Sequence, residues 1–146
     1  SSDLVFLHEV LKLYFPKIHL RKKLNNRVSV ILLVISIILL VFAFPKLYSV
    51  YSLGLVVVAA WLALFLDNES ELGYFYFSFL VMLIPFVIVN GFLTGSFAGN
   101  EVVWYDNSEN SSLRLLTIPV EDFGYGFGML YFVVWIKKRL EIGKKR

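Results

Sequence analysis

Charge is spread along this chain in a way that leaves few options for a fold. Residues 28–44, 47–66 and 72–100 contain no Lys, Arg, Asp or Glu, and residues 119–136 contain only Glu121 and Asp122. Overall 58% of the chain is apolar and 17% charged, against about half and a quarter in soluble domains. Segments of this length and hydropathy are read as membrane helices, because a hydrocarbon core of about 30 Å needs about 20 apolar residues. The sequence therefore predicts an all-α integral membrane protein, a bundle of about four transmembrane helices. The membrane domain is expected over 28–137, with spans at about 28–45, 47–66, 72–95 and 118–136 and a basic cytoplasmic tail at 138–146. Pro85 falls inside the third span, where neighbouring helices can satisfy the freed carbonyl.

Orientation follows from the basic residues. Of the 14 lysines and arginines, only Lys46 and Arg114 lie on the side opposite the termini, so the positive-inside rule places both termini in the cytoplasm and the protein in the cell membrane. The net charge of +3 flanks greasy segments and forms no folded basic surface, which argues against a nucleic-acid partner. The lipid bilayer is the expected environment, and Lys137-Lys-Arg and Lys144-Lys-Arg read as anchors near anionic lipid. Residues 1–27 form a separate N-terminal stretch: a short apolar helix over 4–15, then a basic loop. That helix is too short to span and reads either as interfacial or as the end of a truncated span.

The chain has no cysteine and two histidines, which excludes disulfides and thiolate metal sites and argues against a zinc site. No metal is expected. His8 and His19 read as interfacial residues. Gly124-Tyr-Gly-Phe-Gly128 lies in an apolar span and lacks the spacing of a dinucleotide loop. Asn110-Ser-Ser112 matches a glycosylation acceptor, a short pattern that recurs by chance. Trp61 and Trp135 fit an aromatic belt.

Chemistry is expected where the fourth span begins. Ionisable residues at a span are costly and usually functional. Pro119 suits a first helical turn and Glu121 and Asp122 suit a helix N-terminus, so a simple cap at the membrane surface is one reading of the pair. The other is a polar site. Tyr125 follows one turn on, and Gly124 and Gly128 form a small-xxx-small pair that lets another helix approach. The third span ends on the same side with Asn90 and Thr94, and the intervening loop adds Trp104, Tyr105, Asp106 and Arg114. A proton-relaying carrier of small solutes is disfavoured, since the first two spans hold no ionisable residue facing a pathway.

Asn90-Gly-Phe-Leu-Thr94-Gly95, Val103-Trp104-Tyr105 and Arg114-Leu-Leu-Thr117-Ile-Pro119-Val-Glu121-Asp122-Phe-Gly-Tyr125 resemble the membrane-embedded lycopene cyclase domain family, over about residues 84–136. Phe6-Leu-His-Glu9 through Phe15-Pro16 looks like the tail of a preceding domain in two-domain members. The family is built from two related halves, each with a Pro-x-Glu-Glu/Asp helix, and this chain carries one such motif, of the second-half type. It departs from the family pattern at Lys137-Lys138.

The resemblance implies carotenoid biosynthesis: a redox-neutral, acid-initiated cyclisation of a linear carotenoid such as lycopene, of the intramolecular lyase or isomerase type and without a cofactor. It implies Glu121 and Asp122 as the catalytic pair, with Asn90, Thr94, Trp104, Tyr105, Arg114, Thr117, Pro119 and Tyr125 as substrate-binding or supporting residues. It also implies a companion cyclase half or a homodimer, and leaves open that this chain is a non-catalytic partner completing the substrate groove. In such a site one acid would be kept neutral as donor and the other charged. Aromatic faces would add about 2 kcal/mol or more of cation stabilisation when desolvated.

Overall fold

The structure is a computed structural model that describes residues 2–15, 22–65, 69–97, 102–106 and 108–144. Lys17, His19, Arg21, Asp67 and Asn100 lie outside these residues. Five helices follow in order: α1 (Ser2–Tyr14), α2 (Lys22–Ala43), α3 (Leu47–Phe65), α4 (Glu69–Leu93) and α5 (Val120–Lys144). Among the described residues the one strand pair is a hairpin of β1 (Arg114–Leu115) and β2 (Ile118–Pro119), paired antiparallel with Arg114 opposite Pro119. It belongs to the α4–α5 connection, and the protein is an all-α, multi-pass membrane protein.

Among the described residues, three helical segments are long and apolar enough to cross a membrane: Leu24–Ala43, Leu47–Phe65 and Leu72–Leu93. The first starts ahead of Val28 because Asn25-Asn26-Arg27 is helical, and Asn25 is buried. The sequence predicts a fourth span, and α5 is indeed the fourth long helix of the bundle. It falls short on apolarity for a physical reason: Glu121 and Asp122 at one end and Lys137, Lys138 and Arg139 at the other leave only residues 123–136 uncharged.

On α2 and α3 the inward faces are mostly small and polar, and large apolar residues face outward. On α2 the buried residues Asn25, Ser29 and Ser36 recur at helical spacing, while Ile31, Ile38, Val41 and Phe42 are exposed. On α3 the inward stripe is Ser49, Ser52, Val56, Ala59, Ala60 and Ala63. That pattern suits a lipid surround, in which helices associate through close packing of small residues and interhelical hydrogen bonds. One such bond joins Ser29 Oγ on α2 to the Tyr76 hydroxyl on α4, at 2.5 Å.

Helix α3 packs most extensively, against α2 on one side and α5 on the other. Its contact with α5 is parallel, so that both helices begin at the same boundary. A Cβ on Gly124 would lie 3.0 Å from Ser52 Oγ, and one on Gly128 would lie 2.8 Å from Leu55 Cβ. The small-xxx-small pair therefore admits α3. Helix α4 runs antiparallel to α5 through an aromatic cluster in which Phe75 meets Tyr131 and Phe79 meets Phe127, both edge to face at 5.2 and 5.1 Å. It ends in a left-handed cap: Gly95 has φ 86°, and Ser96 N–H donates to the Gly91 carbonyl at 2.8 Å.

Helix α1, 13 residues long as described, docks on α4 and α5. His8, expected at an interface, is buried with Nδ1 3.0 Å from Ser78 Oγ. Lys137 Nζ donates to Glu9 Oε1 at 2.9 Å. This hydrogen bond, with the lysine charge behind it, holds the Glu9 carboxyl below its ordinary 4.5. A depressed carboxyl adds stability above its unfolded value and loses it as pH falls through the folded one. Protection of α1 amides from hydrogen exchange, corrected for intrinsic rates, is accordingly expected to weaken below about pH 4.5, by under about 1 kcal/mol because the pair is partly exposed. Lys137→Met should remove that pH dependence.

Candidate active site

The hairpin delivers the chain into α5 with its first turn already buried. Pro119 ends β2, so the helix starts at Val120, whose N–H donates to the Leu113 carbonyl at 3.0 Å. Glu121 is 1% exposed and Asp122 7%. Two adjacent carboxyl groups thus sit inside the protein, which a cap at the membrane surface would not require.

Glu121 faces α3 and the loop. Its Oε1 accepts from Ser49 Oγ at 2.5 Å and from the Ser111 N–H at 2.6 Å, and its backbone carbonyl accepts from Ser52 Oγ. Its other carboxyl oxygen, Oε2, is buried and has no hydrogen-bond partner among the described residues. Asp122 is different, because both of its oxygens are occupied. The Tyr48 hydroxyl donates to Oδ1, and the Tyr105 hydroxyl donates to Oδ2 at 2.5 Å. Burial first, and then the bond to Asp122, push the Tyr105 phenol well above its ordinary range, so it keeps its proton and donates.

A roof of loop closes over the pair. Asn110 is buried, and its Oδ1 accepts from Ser112 N–H at 2.9 Å in a tight turn. The Glu109 carbonyl accepts from Tyr48 N–H at 3.1 Å and ties the loop to the start of α3. Arg114 lies over the Tyr105 ring at 5.9 Å, and its Nη1 donates to the Thr117 carbonyl at 2.9 Å. Leu116, at the hairpin tip, holds φ 59°, a left-handed conformation that costs a β-carbon residue about 1–2 kcal/mol. The tip places Thr117 Oγ1 2.5 Å from Thr94 Oγ1 and beside Ser96 Oγ.

The residues singled out from sequence divide into three groups. Tyr105 meets the acid pair directly. Arg114, Thr117 and Pro119 belong to the hairpin that leads into α5, and Thr94, just past the end of α4, holds its tip through Thr117. Asn90 and Tyr125 instead line a groove of about 400 Å³ between α4 and α5, with Met82, Pro85, Phe86, Val89, Gly126 and Met129. Asn90 Nδ2 there donates to the Phe86 carbonyl at 2.9 Å. Tyr125, Gly126 and Met129 lie three, four and seven residues after Asp122, on one stripe of the helix. Trp104 joins none of these groups and is 80% exposed.

Tyr48, Ser49 and Ser52 are partners of the acids that the sequence reading passed over. Their signal was a polar cluster at i, i+1 and i+4 in the first turns of an otherwise apolar span. Since that span begins on the same side as α5, all three hydroxyls can reach its first turn.

A family model described as lycopene cyclase matches residues 45–140. No curated protein and no solved structure matches the chain. The matched region starts well before residue 84, where the sequence resemblance begins, and takes in α3, α4, the hairpin and most of α5. Every residue found in contact with Glu121 and Asp122 falls inside it. The acid pair and the full set of side chains around it are thus features of one family unit, and the chain belongs to the lycopene cyclase family.

Proposed function

We infer from family membership that the chain acts in the cyclisation of a carotenoid. We propose that the chain is the second half, or a separate subunit, of a lycopene β-cyclase, and that Glu121 and Asp122 carry the proton chemistry. The observation behind this reading is the burial of two neighbouring carboxyl groups at one helix start, with unequal surroundings. A carboxylic acid O–H adds its proton to the terminal double bond of the linear end group. The resulting cation is attacked by an internal double bond, which forms the ring C–C bond. A carboxylate then removes a ring proton, and the C–H electron pair becomes the ring double bond. No electron is gained or lost, and one proton is taken up and one returned. A water-poor site suits this sequence, because water would trap the cation as an alcohol.

In this reading α5 also crosses the membrane, both termini are cytoplasmic and the acid pair lies near the outer face. The groove beside Tyr125 receives the apolar end group, and a companion half or second copy covers its open side. Pigment analysis tests the proposal. Lycopene-accumulating bacteria expressing this chain with a matching first half should form β-rings, and lycopene left unchanged beside inserted protein would refute it. Ring formation by this chain alone would place the mechanism on a homodimer.

One observation favours a second reading: nearly every polar atom of the acid pair is engaged in tying α5 to α3 and the loop. That suits a partner module whose acids are structural. It requires that replacing Glu121 leave cyclisation intact in the assembled enzyme.

A further inference from the structure

We propose that Tyr48 and Tyr105 are positioning residues, which fix the Asp122 carboxylate as the proton acceptor of ring closure and so set which ring double bond forms. This rests on the cyclase reading above and goes beyond it by dividing the roles of the acids and naming what holds one of them in place.

The division follows from hydrogen-bond valence. A phenol O–H donates, so both Asp122 oxygens act as acceptors. Each carboxylate oxygen has two acceptor sites, and the phenol fills one, leaving the other to take a proton. Glu121 has its two donors on Oε1, while buried Oε2 has no hydrogen-bond partner among the described residues. In this assignment Oε2 carries the donated proton, since no donor among those residues holds that oxygen as an acceptor. The acids share one helical turn. Glu121 Oε2–H adds its proton to the alkene, Asp122 receives the ring proton, and passage of that proton back to Glu121 restores the starting state.

The clamp is built from two separate elements and each side is itself held. Tyr48 comes from α3, with its backbone N–H on the Glu109 carbonyl at 3.1 Å. Tyr105 comes from the loop and lies beneath the Arg114 guanidinium. Their rings are 6.2 Å apart and tilted by 32°. Two donors arriving from different elements fix both the position and the rotation of a planar carboxylate, which a single bond would not. The candidate protons on the cyclic cation are attached to neighbouring carbons. A displacement of about an ångström in the acceptor is enough to change which one is reached.

The test uses the whole chain with a companion first half, in isolated membranes supplied with lycopene, and compares Tyr48→Phe, Tyr105→Phe and the double variant. Each single change should lower kcat per inserted molecule about tenfold, in line with loss of one hydrogen bond to a charged group, with KM within about twofold. The product distribution should broaden, with ε- or γ-rings or hydroxylated end groups appearing beside β-rings, most in the double variant. A structural role would reduce the amount of inserted protein and leave ring type unchanged; that outcome, or parent-like kinetics, overturns the proposal. Should Tyr48→Phe fail to insert, the ring distribution of the loop variant Tyr105→Phe decides alone. Full cyclisation by Glu121→Gln with Asp122→Asn would sink the cyclase reading itself. Loss of activity in that double variant, with β-rings alone from the tyrosine variants, would sink only the clamp.

Discussion

Glu121→Gln is expected to insert and pack like the parent chain and to lose ring formation by about 10²–10⁴-fold, the usual worth of a positioned general acid. The substitution is informative because it is nearly isosteric. The carboxamide oxygen can still accept from Ser49 Oγ and the Ser111 N–H, which anchor Oε1, so the α3–α5 contact should survive. What disappears is the carboxyl group's capacity to give up and take back a proton. Glu121→Ala would be a poorer probe, since it leaves the buried Ser49 and Ser111 donors unsatisfied at about 1–3 kcal/mol each. Pigment yield normalised to inserted protein checks the expectation. A Glu121→Gln chain that cyclises at the parent rate would return the acids to a structural role.

The second large effect concerns stability. Gly128→Leu should separate α3 from α5, because a Cβ there already meets Leu55 Cβ at 2.8 Å and the Leu55 backbone carbonyl carbon at 3.4 Å. Backbone cannot rotate out of the way as a side chain can. Overpacking of this kind costs about 1–3 kcal/mol and can exceed it. Gly124→Ala should cost less, since its nearest neighbours at 3.0 and 3.1 Å are the side-chain atoms Ser52 Oγ and Val56 Cγ2. Gly54→Ala, with nothing within 4 Å, should be neutral or slightly stabilising on helix propensity. Thermal inactivation in detergent should rank the three in that order. If Gly128→Leu were as stable as Gly54→Ala, the parallel α3–α5 packing would be wrong.

Much of this arrangement can be read from residues alone. The uncharged runs at 28–44, 47–66 and 72–100 mark three helices because a bilayer tolerates few alternatives. Gly124 and Gly128 announce a close helix, though only the fold shows that it is α3. Tyr48, Ser49 and Ser52 were harder to find. Hydroxyls are common in membrane helices, and nothing local distinguishes those that bond a neighbouring helix from those that bond their own backbone. Asn90 illustrates the converse. It has the right depth and chemistry for a partner of the acids, yet helix rotation turns its amide onto the Phe86 carbonyl and its face toward the groove. Sequence fixes depth along a span well and rotation about it poorly, because depth is set by the bilayer and rotation by partners elsewhere in the chain.

The roof of loop over Glu121 and Asp122 bears on traffic as well as on chemistry. In the cyclase reading it would close the water side of the acid pair, while the groove along Tyr125 and Met129 would open sideways toward the lipid tails. A molecule with no solubility in water has no use for an aqueous doorway. A polyene already dissolved in the bilayer would need only to slide laterally between α4 and α5, and its ringed product could leave by the same path. The membrane would then serve this protein as both reservoir and corridor.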